Sequence, residues 1–258
     1  MKWCRILCVA IGMMAAAVAA VATSADQRKS GAEFMGASTQ AMQRDDTQNP
    51  GMLWVSDGEA LWHAKAGRSG KSCASCHGDA RTSMRGVAAR YPAFDTRSKL
   101  PVNMSQRIDQ CRQTRQGAAP LKAESKELLS LESYVAYQSR GMPVNPPPDA
   151  RLKASTARGQ QLFFQRIGQL NLSCAQCHDS NWGRRLGGAL IPQGHANAYP
   201  IYRLEWQGMG SLQRRLRNCM SGVRAEVPAF NAQELIELEL YLAARAKGMP
   251  LESPGVRP

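Results

Sequence analysis

The 258-residue chain carries 33 Lys and Arg against 20 Asp and Glu, a formal net charge of +13, with 43% hydrophobic residues and eight cysteines. That much apolar content excludes a chain too polar to form a core, and the length suits two small domains. The positive charge is spread along the sequence without a Lys/Arg-rich arm or a nucleic-acid motif, which argues against nucleic acid and for anionic substrates and acidic protein partners.

Taken in chain order, Lys2 and Arg5 precede an Ala-rich apolar run from Ile6 to Ala22 that ends in small residues. This reads as a secretory signal spanning residues 1–25, cleaved after Ala22 or Ala25. The run is about long enough to anchor in a thinned bilayer, but the Ala-x-Ala-like ending and the polar segment beyond it favour cleavage, with no stable membrane anchor and a periplasmic destination. Cleavage removes Cys4 and Cys8 to leave six cysteines, and removes Lys2 and Arg5 to take the net charge from +13 to +11. Residues 26 to about 52 are polar and are expected to drape over another surface or to stay disordered.

The remainder is an internal repeat. Cys73-Ala74-Ser75-Cys76-His77 recurs 101 residues later as Cys174-Ala175-Gln176-Cys177-His178. Gly58 and Gly159 each lie 15 residues before the first cysteine of their motif, followed by matching helical patterns, Glu59-Ala60-Leu61-Trp62 and Gln160-Gln161-Leu162-Phe163. Tyr91-Pro92 matches Tyr199-Pro200, and each tyrosine precedes an isolated cysteine, Cys111 or Cys219, by 20 residues. The His-to-Cys spacing is 34 residues in the first copy and 41 in the second, so seven extra residues lie between His178 and Tyr199, in a stretch with Gly187, Gly188, Gly194 and His195. Met104, Ile108 and Cys111 fall at i, i+4 and i+7, as do Leu212, Leu216 and Cys219, which puts each lone cysteine on an apolar helical face. Leu128, Leu131 and Val135, and then Leu235, Leu238 and Leu242, form later amphipathic stripes. Gly141 and Gly248 read as helix-ending glycines, each with proline two residues on. No convincing alternating strand is seen. The expected fold is all-α, two class I cytochrome c-like domains related by the repeat. The N-terminal domain takes residues 26–150 and the C-terminal domain 151–258, joined through the Asn145-Pro146-Pro147-Pro148 linker.

The chemistry lies in the cysteines. CxxCH is the attachment signature of c-type haem: the four cysteines Cys73, Cys76, Cys174 and Cys177 would form thioethers, and His77 and His178 would be proximal ligands of two covalently bound haems. Histidine after the second cysteine disfavours a zinc site or a redox CxxC pair. The distal candidates are Met104, Met142, Met209, Met220, Met249, Cys111 and Cys219. Met142 and Met249 suit capping or packing, and Met104 and Met209 do not align, whereas Cys111 and Cys219 do. Recurrence therefore favours the cysteines over the methionines, and over a Cys111–Cys219 disulfide, the ordinary alternative in an oxidising compartment. A thiolate would stabilise ferric iron and lower the potential. Arg107, Arg112 and Arg115 flank Cys111, and Arg214, Arg215 and Arg217 precede Cys219. Arg215 and Arg107 each lie one helical turn before their cysteine, so spacing does not choose between a substrate anion and haem propionates, nor between the two haems. His63, on the first helix, reads as surface or packing. His195 is a loop residue or lines the second haem's edge, and Trp62, Trp182 and Trp206 read as packing around haem or domain contacts.

The paired CxxCH sites and lone cysteines, with Tyr199-Pro200-Ile201-Tyr202-Arg203 and Leu212-Gln213-Arg214-Arg215-Leu216-Arg217-Asn218-Cys219-Met220, resemble the SoxA family of dihaem cytochromes over nearly all the mature chain. That resemblance implies the L-cysteine S-thiosulfotransferase of periplasmic sulfur oxidation, with a monohaem SoxX partner, a SoxYZ carrier protein, thiosulfate as substrate and a cytochrome c electron acceptor. It also implies His/Cys ligation at both haems, Cys219 modified to a persulfide at the active second haem, Arg215 as the substrate-positioning arginine, and Cys111 as axial ligand of a first haem that is structural or an electron reservoir. A thiosulfate dehydrogenase forming tetrathionate and a non-enzymatic dihaem electron carrier are the alternatives.

Overall fold

The computed structural model describes residues 26–258; the signal segment expected at residues 1–25 lies outside the described residues. The helices are, in order, α1 (Ala37–Arg44), α2 (Met52–His63), α3 (Ala74–His77), α4 (Ala80–Ser83), α5 (Met104–Cys111), α6 (Lys126–Tyr137), α7 (Lys153–Phe164), α8 (Cys174–His178), α9 (Leu212–Gly222) and α10 (Gln233–Arg245). In the first repeat α2 packs on α6, and in the second α7 packs on α10 in the same way. The two helices touch backbone to backbone at one glycine each. A Cβ on Gly58 would lie 2.1 Å from the Ser130 carbonyl oxygen, and one on Gly159 would lie 1.9 Å from that of Glu237. No other residue type fits there without parting the helices.

Each crossing sits beside an aromatic pair at equivalent positions. Trp62 packs on Tyr134 at 5.9 Å between ring centroids, and Phe163 on Tyr241 at 5.4 Å. Around the first pair cluster Val55, Ala80, Met104 and Val135; around the second, Ala175, Leu238 and Leu242, with Leu212, Leu216 and Met220 against them. A smaller apolar cluster of Ala89, Val144, Ala246, Met249 and Leu251 joins the two repeats. There the two Gly-Met-Pro segments run antiparallel, and four backbone hydrogen bonds tie them: Gly141 N–H to Leu251, Leu251 to Met142, Val144 to Met249, and Gly248 to Val144, at 2.7 to 2.9 Å. Gly141 (φ 79°) and Gly248 (φ 87°) take the left-handed turn that this pairing requires. Met249 is thus a packing residue of the repeat interface, as its place before proline suggests.

The helices dominate, but short strands are present, where the sequence shows no alternation. They are β1 (Ala93–Phe94), β2 (Pro101–Val102), β3 (Arg185–Leu186), β4 (Ala189–Leu190), β5 (Ile201–Arg203), β6 (Gly208–Gly210) and β7 (Gly255–Arg257). At two or three residues each they are too short to display a period-two pattern. β1–β2 and β3–β4 are antiparallel pairs, while β5 lies between antiparallel β6 and parallel β7.

The polar N-terminal segment is ordered and drapes over the second repeat. The Arg28 guanidinium donates to the carbonyls of Arg245 (3.0 Å) and Lys247 (2.8 Å), capping α10 with a cation where its carbonyls are unsatisfied. The Gln43 side chain accepts from Val256 N–H (2.9 Å), and Asn49 donates to the Pro254 carbonyl (2.9 Å), so this arm fastens the C-terminal tail that carries β7.

Between the repeats, half-buried Glu132 of α6 and buried Glu239 of α10 occupy equivalent positions and line one cavity with Glu124. Burial is the main cause that pushes Glu132 from 4.5 to about 8, opposed by the Ser105 hydroxyl and reinforced by Glu239 and Glu124. Burial likewise pushes Glu239 to about 7, against the polar side chains of Gln213 and of Asn103, which donates to it at 3.1 Å.

Two predictions follow from this packing. Gly159→Ala should destabilise the haem-loaded protein by about 1–3 kcal/mol or more, as overpacking does, measurable as a lower thermal midpoint. For Glu132, a folded value above the unfolded one means that stability is fully present below about 4.5 and is lost as pH rises through about 8. Glu132→Gln should therefore gain thermal stability over the native protein progressively from pH 5 to pH 8; a pH-independent difference would contradict this.

Candidate functional site

The second CxxCH motif forms α8, a helix opened by a reciprocal cap in which the Ser173 hydroxyl accepts from Gln176 N–H and Gln176 accepts from Ser173 N–H. Cys174, Cys177 and His178 are carried on this one short helix. The His178 Nδ1–H donates to the Pro192 carbonyl at 2.7 Å, which fixes the tautomer and leaves Nε2 as the nitrogen with a free lone pair. The extra residues of the second repeat build this support. Arg185–Leu190 forms an exposed hairpin, and the chain then returns past the ring through Pro192 and Gly194. Gly194 has φ 74°, and a Cβ there would lie 2.9 Å from His178 Cγ. The imidazole therefore rests on bare backbone.

Cys219 reaches the same place from α9, whose N-cap Ser211 accepts from Arg214 N–H. Burial pushes the Cys219 thiol up, but the facing His178 imidazole and the positive charges of Arg215 and Arg203 outweigh it, leaving the thiol below its ordinary value. The structure thus brings Cys219, His178 and Arg215 together. It also separates the roles of the arginines before Cys219. Arg214 lies over the Trp206 ring at 4.0 Å, and Arg217 lies over Phe230 at 4.3 Å and donates to the Pro228 carbonyl. Arg215 has no ion pair among the described residues.

Arg203, at the end of β5, is the residue that spacing arguments missed. Its side chain is 13% exposed and its Nη2 meets Glu205 at 2.7 Å, while its Nε is buried without a partner. Burial, then the charge of Arg215, pushes the Arg203 guanidinium below its ordinary value. Trp206, held between Arg203 (5.2 Å) and Arg214 (4.0 Å), fixes both cations by their faces.

The first repeat has the same scaffold with different charges. Cys73 stands at the start of α3, which carries Cys76 and His77, and the His77 ring packs against Trp62 at 5.7 Å. Cys111 ends α5, where the chain loosens into a π-helical turn, Arg112–Gln116, and Gln116 Nε2 approaches Cys73 Sγ at 3.8 Å. Cys111 acts electrostatically on Cys73 and Tyr91, so it too faces its CxxCH helix. Arg107, the counterpart of Arg215, is neutralised by Asp95 at 3.0 Å, whose side chain is only 4% exposed.

All six cysteines of the described residues are free, so no Cys111–Cys219 disulfide joins the repeats. Two cysteines one turn apart, a histidine whose Nε2 is spared and a bare-backbone cradle fit covalent haem. Of the other candidates, Met104 packs in the first core, Met209 lies against Gly51, Met142 lies against Gly86, and Met220 packs with Leu212 and Leu216. His63 is exposed. His195 is held neutral by burial and by Arg245 and Arg28, which push it to about 4, and it contacts Gln193 at 3.3 Å. Trp182 packs edge-on against Phe34 of the N-terminal arm. No helix of the described residues is long and apolar enough to cross a membrane.

Comparison with known proteins agrees with this geometry. The SoxA/TsdA cytochrome c domain family matches residues 57–144 and 158–251, one match per repeat. The L-cysteine S-thiosulfotransferase subunit SoxA of Pseudaminobacter salicylatoxidans is 41% identical over 90% of this chain and 82% of its own length. The SoxA subunit of Paracoccus pantotrophus is 35% identical over 92% of this chain and 81% of its own. The crystal structure of SoxXA from P. pantotrophus superimposes with a TM-score of 0.86, at 35% identity, over 90% of this chain and 87% of that one.

Gly194→Ala should push the His178 ring off its cradle and break the Pro192 hydrogen bond. The absorption and electron paramagnetic resonance (EPR) signature of the second haem should change, while that of the first is unaltered.

Proposed function

The chain belongs to the SoxA/TsdA cytochrome c family, and from that premise we propose that it is the catalytic dihaem subunit of a SoxAX-type L-cysteine S-thiosulfotransferase, exported to the periplasm and paired with a SoxX-type monohaem cytochrome. The reaction joins thiosulfate to a cysteine thiol of a SoxYZ-type carrier protein. One S–S bond forms between the carrier sulfur and the terminal sulfur of thiosulfate, the thiol proton leaves, and two electrons pass to cytochrome c acceptors.

Cys73, Cys76 and His77 would hold one haem, with Cys111 as a further ligand; Cys174, Cys177 and His178 would hold the other, with Cys219. When bound, these groups supply one-electron redox centres whose potential a thiolate lowers. The rest is the work of the chain. Arg215 binds the dianionic substrate, since a planar guanidinium offers paired donors to an oxyanion. Cys219, held one helical turn away, presents a sulfur favoured as thiolate and able to carry the extra sulfur of a persulfide. His178 is oriented by Pro192, so the opposite face of the site does not shift as the sulfur reacts. The observation that carries this reading is the packing of α9, which bears Cys219 and an Arg215 without an ion pair among the described residues, into the same core as Cys174 of the CxxCH helix.

Cys219→Ala should abolish coupling, a loss of more than about a hundredfold in kcat, and should change the second haem's low-spin spectrum. Mass spectrometry of the Cys219 peptide should find a fraction heavier by one sulfur atom. Intact coupling in Cys219→Ala, or tetrathionate formed without any carrier protein, would overturn the proposal.

A further inference from the structure

Asp95 and Arg203 hold the same place in the two repeats, four residues after the Tyr-Pro tyrosine and 16 before the lone cysteine. One is an acid and the other a base. In the first repeat, buried Asp95 accepts from Ser98 N–H and Oγ–H, each at 2.9 Å, and from Arg107 at 3.0 Å. The carboxylate occupies the guanidinium that stands one turn before Cys111, so the cation equivalent to Arg215 is already paired, and Arg112, which follows Cys111, has no counterpart of Arg203 beside it. In the second repeat the same position supplies Arg203. Arg203 is largely buried, its Nε has no partner, and it feels the like charge of Arg215, which stands one turn before Cys219. The one acid on Arg203, Glu205, is 58% exposed, and a pair so open to water neutralises little. Partly buried like charges of this kind are relieved by an anion placed between them.

We infer that Arg203 is a second substrate-holding guanidinium, sharing the sulfonate of thiosulfate with Arg215, and that Asp95 at the equivalent position silences the first site. The inference rests on the thiosulfate-coupling reading above and assigns the residue that selects which repeat takes substrate. A sulfonate has three oxygens, more than one planar guanidinium engages, and two cations fix both its position and its rotation above Cys219. Arg203 is built for this. It ends β5 between two paired strands, and Trp206 braces its face.

The test uses the haem-loaded complex and thiosulfate itself as the probe. Arg203→Gln should raise the KM for thiosulfate about tenfold or more, the loss expected for a charge-assisted hydrogen bond. Arg203→Lys should recover part of that loss. The second haem's EPR signal without thiosulfate should match the native protein in both variants. In Asp95→Asn, which frees Arg107, added thiosulfate should newly perturb the first haem's EPR signal. An unchanged KM in Arg203→Gln, or a loss confined to kcat with an altered resting haem signal, would overturn the role of Arg203. A first haem still blind to thiosulfate in Asp95→Asn would overturn the role of Asp95. Native complex that does not turn over thiosulfate would instead sink the parent reading, whatever the variants do.

Discussion

The closest constraint in the molecule is the contact of two backbones at a missing side chain. Where α7 crosses α10, the Gly159 Cα faces the Glu237 carbonyl with no room for a methyl group, and Gly58 meets Ser130 in the same way. Everything else in each repeat is placed relative to that crossing. Trp62 and Phe163 lie on the same helices as the glycines and pack on Tyr134 and Tyr241 of the partner helices. The CxxCH helices follow, with Cys174 and Ala175 packed into the core that Phe163 anchors. Close-packed interiors transmit such placement, because a shift of one element opens voids or clashes at the next. The position of His178 opposite Cys219 is therefore a consequence of two helices being allowed to touch.

A second layer of constraint acts over long separations. The arm around α1 binds the tail around β7 through Gln43 and Asn49, and β7 pairs with β5, which ends at Arg203. Residues more than 200 positions apart in sequence thus fix one functional side chain. Arg28 caps the last turn of α10 from the same arm, and Arg245 from that turn reaches Asp179, next to His178. A short sheet of three strands would be marginal alone. Here the arm, the tail and the second repeat share its edges.

Much of this was legible in the sequence. The CxxCH pairs, the Tyr-Pro marks and the apolar stripes through Ile108, Leu216, Leu131 and Leu238 give the repeat, the helices and the side from which each lone cysteine approaches. The strands were not legible, because a two-residue strand such as Arg185–Leu186 has no period and is defined by its partner. The bracing of β7 was hidden for the same reason: polar side chains such as Gln43 carry no pattern that names a partner at position 256. Pro192 was invisible because its role is played by a backbone carbonyl, which every residue has. Arg203 is a different case. It stood in plain view opposite Asp95, but an alignment read for what the repeats share passes over what they exchange.

That exchange shows how a duplicated scaffold divides its labour. Helix crossings, aromatic pairs, CxxCH helices and trailing cysteines are matched residue for residue, since packing tolerates little change in either copy. Charges at the rim of each site are less constrained by packing, because Asp and Arg at the end of a short strand both reach solvent or a neighbour. They are far from equivalent electrostatically. At about 4 Å and an effective dielectric near 20, a unit charge interaction is about 4 kcal/mol, larger than most single packing changes. Reversing one sign therefore outweighs the many small differences between the repeats. The first site, with Asp95 against Arg107, keeps that cation occupied. The second sets Arg203 beside Arg215, and under the proposed reading it is this pair of cations that draws a dianion to the sulfur.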